Sequence, residues 1–309
     1  MEILHYIAKL QKLVIMYDIP ILLIVFNRPS TTRKMFECII ELQPNKLYVS
    51  ADGPRNIEEA VRCNDVRKIT EDINWECTRK QQYFEENQGG ALGPKKAIDW
   101  FFENEEMGII IEDDIIPSSD FFIFMKELLI KYKDEKKVMH ISSMNFHFGK
   151  NYINTSYYFS QVISPWGWAT WKRAWQQHDY NMNDLEEILP KLQIPEYYKR
   201  ELLNCKNKAI NTWDYQWFYS VLKHQGLGIC PAKNLSLNIG YTTEGTRTHS
   251  IPNWYNKVKL EKLSILKHPK HLTVNTFADD ITFAEIIPEY TLPLSVKIKK
   301  IFHLLNPLK

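Results

Sequence analysis

Glu112, Asp113 and Asp114 are consecutive acids that follow Gly108-Ile-Ile-Ile111 directly and precede Ile115-Ile-Pro117. An unbroken apolar run bounded by Gly and Pro reads as a strand buried on both faces of a parallel sheet. Carboxylates crowded at the end of such a strand repel one another and cost desolvation energy unless a positive partner sits beside them. A divalent cation fits that need, and at a strand's carboxyl end its natural use is to hold a phosphorylated ligand. The bland alternative is a solvated strand-to-loop turn, and the wholly apolar strand before the acids weighs against it. Two other apolar runs end in polar groups, Asn27-Arg28 after Pro20–Phe26 and Ser50–Asp52 after Lys46–Val49. The glycine-rich stretch Gly89-Gly90-Ala-Leu-Gly93 matches neither the P-loop nor the dinucleotide fingerprint, and its small residues let backbone approach a ligand. Pro94 suits a first helical position, which puts Lys95 and Lys96 at a helix start where phosphate is favoured. Trp166 and Trp168 can wall a sugar, although aromatics at a helix start more often fill a core.

The elements that must position these groups alternate. Strand patterns cover 20–26, 46–52, 79–83, 108–112 and 138–143. Helical patterns cover 31–42, 56–74, 95–105 and a stretch from Ser118 or Ser119 through Lys131. This predicts an α/β fold with a Rossmann-like, mostly parallel sheet flanked by helices, whose polar strand ends converge on one edge. The second half is elaborated. It has helical stretches over 183–209, a Trp213-Asp214 turn leading into a helix through Lys223, a strand pair over 226–240 and a polar loop over 240–250. The pattern divides into an N-terminal amphipathic extension (1–18), a sheet-forming first subdomain (19–145), an elaborated second subdomain (146–280) and a basic amphipathic tail (281–309). The tail can dock on an anionic membrane surface or pack on the domain.

Composition narrows the partners. The chain has 309 residues, 44% hydrophobic and 25% charged, which is ordinary for a globular protein with a sizeable core. A net charge of +2 gives no polyanion footprint, so nucleic acid is not an expected partner. Five scattered cysteines without a CxxC pair argue against a disulfide framework or zinc site, and point to a reducing, cytoplasmic setting. Asp18 and Pro20 break the first apolar run, so it does not read as a secretory signal, and no stretch reaches the roughly 20 apolar residues of a spanning helix.

Six blocks occur in order: Phe26-Asn-Arg-Pro-Ser-Thr-Thr32, Val49-Ser-Ala-Asp-Gly-Pro54, Gly90-Ala-Leu-Gly93, Ile111-Glu-Asp-Asp114 with Asp120-Phe-Phe122, Pro165-Trp-Gly-Trp168 and Trp213-Asp214. Together they resemble the GT-A nucleotide-sugar glycosyltransferases, specifically the branch typified by N-acetylglucosaminyltransferase I and its bacterial relatives. The resemblance covers roughly residues 20–250, and it makes 19–145 the nucleotide-sugar-binding subdomain and 146–280 the acceptor and catalytic subdomain. It implies an inverting glycosyltransferase that takes a nucleoside diphosphate sugar, a UDP-sugar by preference, and glycosylates a glycan or lipid-linked acceptor. By resemblance Arg28, Asp52, Glu112 and Asp113 contact the donor, Asp114 binds Mn²⁺ or Mg²⁺, and His249 is a second metal-ligand candidate. The same resemblance makes Asp214 the catalytic base. That block departs from the family pattern: Tyr215-Gln216 stands where the family's Trp-Asp-Asp-Trp has its second acid. A sugar-phosphate nucleotidyltransferase and a non-catalytic carbohydrate-binding relative are the alternatives.

Overall fold

The computed structural model of the chain describes residues 17–241 and 251–305. The N-terminal amphipathic stretch, apart from its last residues, and His249 therefore lie outside the described residues. Strands β1 (Ile21–Val25), β2 (Lys46–Ala51), β3 (Thr78–Tyr83) and β4 (Met107–Glu112) alternate with helices α1 (Pro29–Leu42), α2 (Ile57–Glu71) and α3 (Gly89–Asn104). A short β5 (Ile115–Pro117) leads into α4 (Ser119–Lys131). Then come β6 (Val138–Ser142), β7 (Tyr157–Ser160), β8 (Trp168–Trp171), α5 (Lys172–Trp175), α6 (Leu185–Ile188), α7 (Glu196–Lys206), α8 (Asp214–Lys223), β9 (Leu227–Pro231) and β10 (Ser236–Asn238). Helices α9 (Thr276–Ile286) and α10 (Leu294–Leu305) close the described chain.

One eight-stranded sheet runs through both halves in the order β3-β2-β1-β4-β8-β6-β9-β7. β1, β2, β3 and β4 pair in parallel, while β8 is antiparallel to both its neighbours and β7 antiparallel to β9. The alternation within β1 and β4 explains why both read as continuous apolar runs. Ile21, Leu23, Val25, Ile109 and Ile111 face one core with α1, α2 and α4. Leu22 and Ile110 face a second core, built with α3 and the indoles of Trp168, Trp213 and Trp217. Helices therefore cover both faces, as in a Rossmann-like fold.

The second half departs from expectation at two points. The strands expected as a pair over 226–240 both form, but β9 joins the large sheet and β10 pairs antiparallel with β5. Trp168 opens β8 rather than a helix: it faces one core while Ala169 and Trp171 face the other, as alternating strand residues do. None of the five cysteines forms a disulfide. Among the described residues no helix is long and apolar enough to cross a membrane.

His140 on β6 anchors this region. Its Nδ1 accepts the Trp217 indole N–H at 3.1 Å, and its Nε2 bonds the Ser164 carbonyl at 3.1 Å. Burial pulls its pKa down to about 3, so the ring stays neutral. A group whose folded pKa lies below its unfolded value contributes stability that is lost as pH falls from about 6.5 toward the folded pKa. We therefore expect His140→Asn to be less stable than wild type at pH 7, with the gap narrowing by about 1.4 kcal/mol per pH unit below 6.5. Asp279, which burial raises to about 7 from 3.8, gives the opposite slope over that window, but equally in both proteins. Urea midpoints at several pH values measure the gap. A gap constant with pH would contradict the neutral, hydrogen-bonded histidine.

Candidate functional site

The sheet order places the reversal of strand sequence between β1 and β4, and in an open α/β sheet ligands bind in the crevice outside the strand ends at that point. Ile24 pairs in register with Glu112, so the Phe26–Arg28 turn and the three acids leave the sheet side by side. A cleft of about 770 Å³ opens there. Arg28, Asp52, Gly90, Glu112, Asp113, Asp114, Trp166 and Asp214 all line it.

Arg28 ties the acids together. Its guanidinium donates to Asp113 Oδ1 and, at 2.9 Å, to Asp114 Oδ2. Asp113 also accepts the Phe26 N–H at 3.3 Å. Burial pulls Arg28 down, but the charges of Asp113 and Asp114 more than reverse this, so the group is held charged. Burial pushes Asp113 up, against the opposing charge of Arg28. One arginine offsets one of the three acids, which leaves the strand end net negative. Asp114 Oδ1 is buried and finds no hydrogen-bond partner among the described residues. A buried oxygen of this kind, in an acidic pocket, suits a hard cation that takes oxygen ligands. Among the described residues no three His, Cys, Asp or Glu side chains are grouped to cage a metal. Mg²⁺ and Mn²⁺ can be held by one or two carboxylates, with water or phosphate oxygens in their other positions.

Gly240 closes this pocket from the other side. A Cβ there would overlap Asp114 Oδ2 and press on Arg28 Nη1. Gly240→Ala is therefore expected to displace the Arg28–Asp114 pair and lower turnover about 100-fold, the scale of a misplacement near 1 Å. Steady-state kinetics with a fold control by circular dichroism checks this, and unchanged kinetics would contradict the close approach.

Asp52 turns inward. It accepts from the backbone N–H groups of Gly53 (2.8 Å), Gln88 (2.8 Å) and Gly89 (3.2 Å), and from Asn87 Nδ2 (3.0 Å). A carboxylate offers about four acceptor sites, and these bonds fill them. Burial pushes its pKa up, with the backbone bonds and Arg67 pulling the other way. The residue thus organises the glycine-rich turn, and these bonds occupy the acceptor sites that the donor contact implied by the resemblance would use. The same bonds start α3 at Gly89, earlier than the Pro94 start expected from sequence. Lys95 consequently lies inside the helix, off the cleft, where it pairs with Asp99 at 2.5 Å. The helix N-terminus that faces the cleft is at Gly89 and Gly90 instead.

The tryptophans separate. Trp168 is 0% exposed and packs on His140 and Trp213, so it belongs to the core rather than the donor wall. Trp166 does line the cleft and leans on Trp254 and Tyr241. Across from the acids, Trp213 Nε1 donates to Glu112 Oε1 at 3.2 Å, which joins the α8 turn to the β4 end. Asp214 opens α8, and its Oδ1 accepts from Thr212 Oγ1 and, at 3.1 Å, from Tyr215 N–H. An anionic side chain is favoured at that helix end. Arg55, Asn238 and Tyr241 also line the cleft without having been singled out in the sequence. Arg55 follows the Asp52-Gly-Pro turn, where the strand-end pattern could have reached it. Asn238 and Tyr241 arrive only through the β10–β5 pairing, which leaves no local signal.

No protein-family model matches the chain, and no curated protein matches it in sequence. Solved structures do. One is a UDP-glucose pyrophosphorylase complexed with UDP-glucose, 12% identical, with a TM-score of 0.38 over 77% of this chain and 97% of that one. Another is HddC from Yersinia pseudotuberculosis, 10% identical, with a TM-score of 0.34 over 50% of this chain and 77% of that one. A third is 4-diphosphocytidyl-2C-methyl-D-erythritol synthase from Anaerococcus prevotii, 8% identical, with a TM-score of 0.30 over 60% and 82%. At these scores the likeness carries no argument about chemistry, so the functional reading rests on the cleft itself.

Proposed function

We propose that the chain is a metal-dependent inverting glycosyltransferase that moves a sugar from a nucleoside diphosphate donor, UDP-linked by preference, to a hydroxyl of a glycan or lipid-linked acceptor. The observation that carries this reading is the cleft at the strand-order reversal, where Glu112–Asp114 on one wall are tied through Trp213 to Asp214 on the other. The ordered sequence blocks that resemble the GT-A enzymes support it further.

In this reading Asp114 holds the cation, and Arg28 fixes the position of Asp113 and Asp114 from beside it. The cation, when bound, neutralises charge developing on the departing diphosphate. Asp214 takes the proton of the acceptor hydroxyl as that oxygen bonds to the anomeric carbon. The carbon–phosphate-oxygen bond breaks in the same displacement, its electron pair leaves with the nucleoside diphosphate, and the anomeric configuration inverts. Trp166 offers an apolar face beside the path, which suits a sugar ring.

A screen of nucleoside diphosphate sugars with Mn²⁺ tests the proposal. Release of the nucleoside diphosphate from at least one donor supports it, and the absence of release from every donor would count against turnover and for a binding-only protein.

A further inference from the structure

Helix α10 is packed on one side only. Val296 is buried with Tyr152 and Ile281, His303 meets the Phe277 ring at 5.4 Å, and Lys300 reaches Glu285 at 3.7 Å. The opposite side presents Leu294, Ile298, Ile301 and Phe302, which are 58–74% exposed. These positions recur at helical spacing and form one apolar stripe. Lys297 and Lys299 are exposed beside it, and the helix Leu-Ser-Val-Lys-Ile-Lys-Lys-Ile-Phe-His-Leu-Leu has no acid. The positive face continues past the helix. Lys150, Lys257 and Lys300 lie 3.8, 3.2 and 3.7 Å from the one carboxylate of Glu285, so a single acid serves three ammonium groups.

We propose that this face docks on an anionic lipid bilayer, with the apolar stripe entering the interface and the lysines meeting the headgroups. Lysines flanking an exposed apolar stripe are the pattern of a helix lying in a membrane surface. Charge decides the occupant. A second copy of the chain would bring the same cationic, acid-free helix and be repelled. The N-terminal stretch 1–16 carries Lys9 and Lys12 against the single acid Glu2, so it offers no complement either. The face also leads to the cleft, because Lys257 ends the turn Tyr255–Lys257 that follows Trp254, and Trp254 lies 5.8 Å from the Trp166 ring on the cleft wall. Docking would bring that wall toward the bilayer. If the transfer proposed above holds, the acceptor is membrane-associated; the docking itself does not depend on that reading.

Sedimentation of the full chain with vesicles tests it. Pelleting is expected with phosphatidylcholine vesicles that contain phosphatidylglycerol, and not with pure phosphatidylcholine or at high salt. Lys297→Gln with Lys299→Gln should weaken binding on the order of 30-fold, from about a fivefold loss per lysine at the surface. Ile298→Ser with Phe302→Ser should weaken it by at least tenfold, through loss of apolar insertion. All four side chains are exposed, so the variants keep the fold, and donor turnover in solution should stay unchanged. Binding to neutral vesicles as strong as to anionic ones would overturn the proposal, as would pelleting insensitive to either pair. So would a vesicle-free dimer that Ile298→Ser with Phe302→Ser dissociates.

Discussion

Replacing Asp214 with Asn is expected to lower kcat about 100-fold while leaving donor affinity close to wild type, the usual cost of a lost general base. Asn keeps the size of the side chain and an oxygen that can accept from Thr212 Oγ1 and the Tyr215 N–H, the contacts that hold Asp214 Oδ1. It removes the negative charge and with it the capacity to take a proton. The turn should therefore stay folded, with Trp213 still donating to Glu112. Isothermal titration with the nucleoside diphosphate and steady-state rates separate binding from turnover. A variant with wild-type kcat would remove Asp214 from the chemistry, and one with equally impaired binding would make it a structural cap.

The second large effect falls at Asp114. Asp114→Ala is expected to lower kcat/KM on the order of 10³-fold, because Lewis-acid stabilisation of the leaving group is worth several kcal/mol. Dependence on added Mn²⁺ should vanish with it. Asp114 also accepts from Arg28, so part of the loss could come from a disturbed pocket. Asp114→Asn resolves this: it preserves shape and an acceptor for Arg28 but weakens the cation site. Loss of metal response in both variants supports ligation. Full metal response in Asp114→Asn would assign the residue to positioning Arg28 alone.

Much of this site was legible in the sequence, since its parts lie at the ends of apolar strands. The run Gly108–Ile111 reads as buried because β4 sends Ile109 and Ile111 into one core and Ile110 into the other. Once β1 and β4 are neighbours, Arg28 and the acids must meet. Asp52 and Lys95 show what local patterns miss. Asp52 is polar at a strand end like the others, yet its carboxylate is filled by the backbone of a turn far along the chain. That capture moves the helix start, and with it Lys95, away from the cleft. Trp166 and Trp168 are equivalent on paper, but Trp168 lies in β8 and enters the core, whereas Trp166 precedes the strand, across Gly167, and reaches the cleft. Asn238 and Tyr241 depend on β10 pairing with β5, a contact between distant segments.

The most direct test identifies the products formed from an active nucleoside diphosphate sugar. The protein is incubated with Mg²⁺ and acceptor, and nucleotides and phosphates are separated by ion exchange. A glycosyltransferase yields nucleoside diphosphate in equal amount to glycosylated acceptor, with no pyrophosphate under any condition. In the nucleotidyl-transfer direction, with nucleoside triphosphate and sugar phosphate supplied instead, it yields nothing. Pyrophosphate and a nucleotide sugar formed from that second mixture would contradict the account and assign the cleft to nucleotidyl transfer.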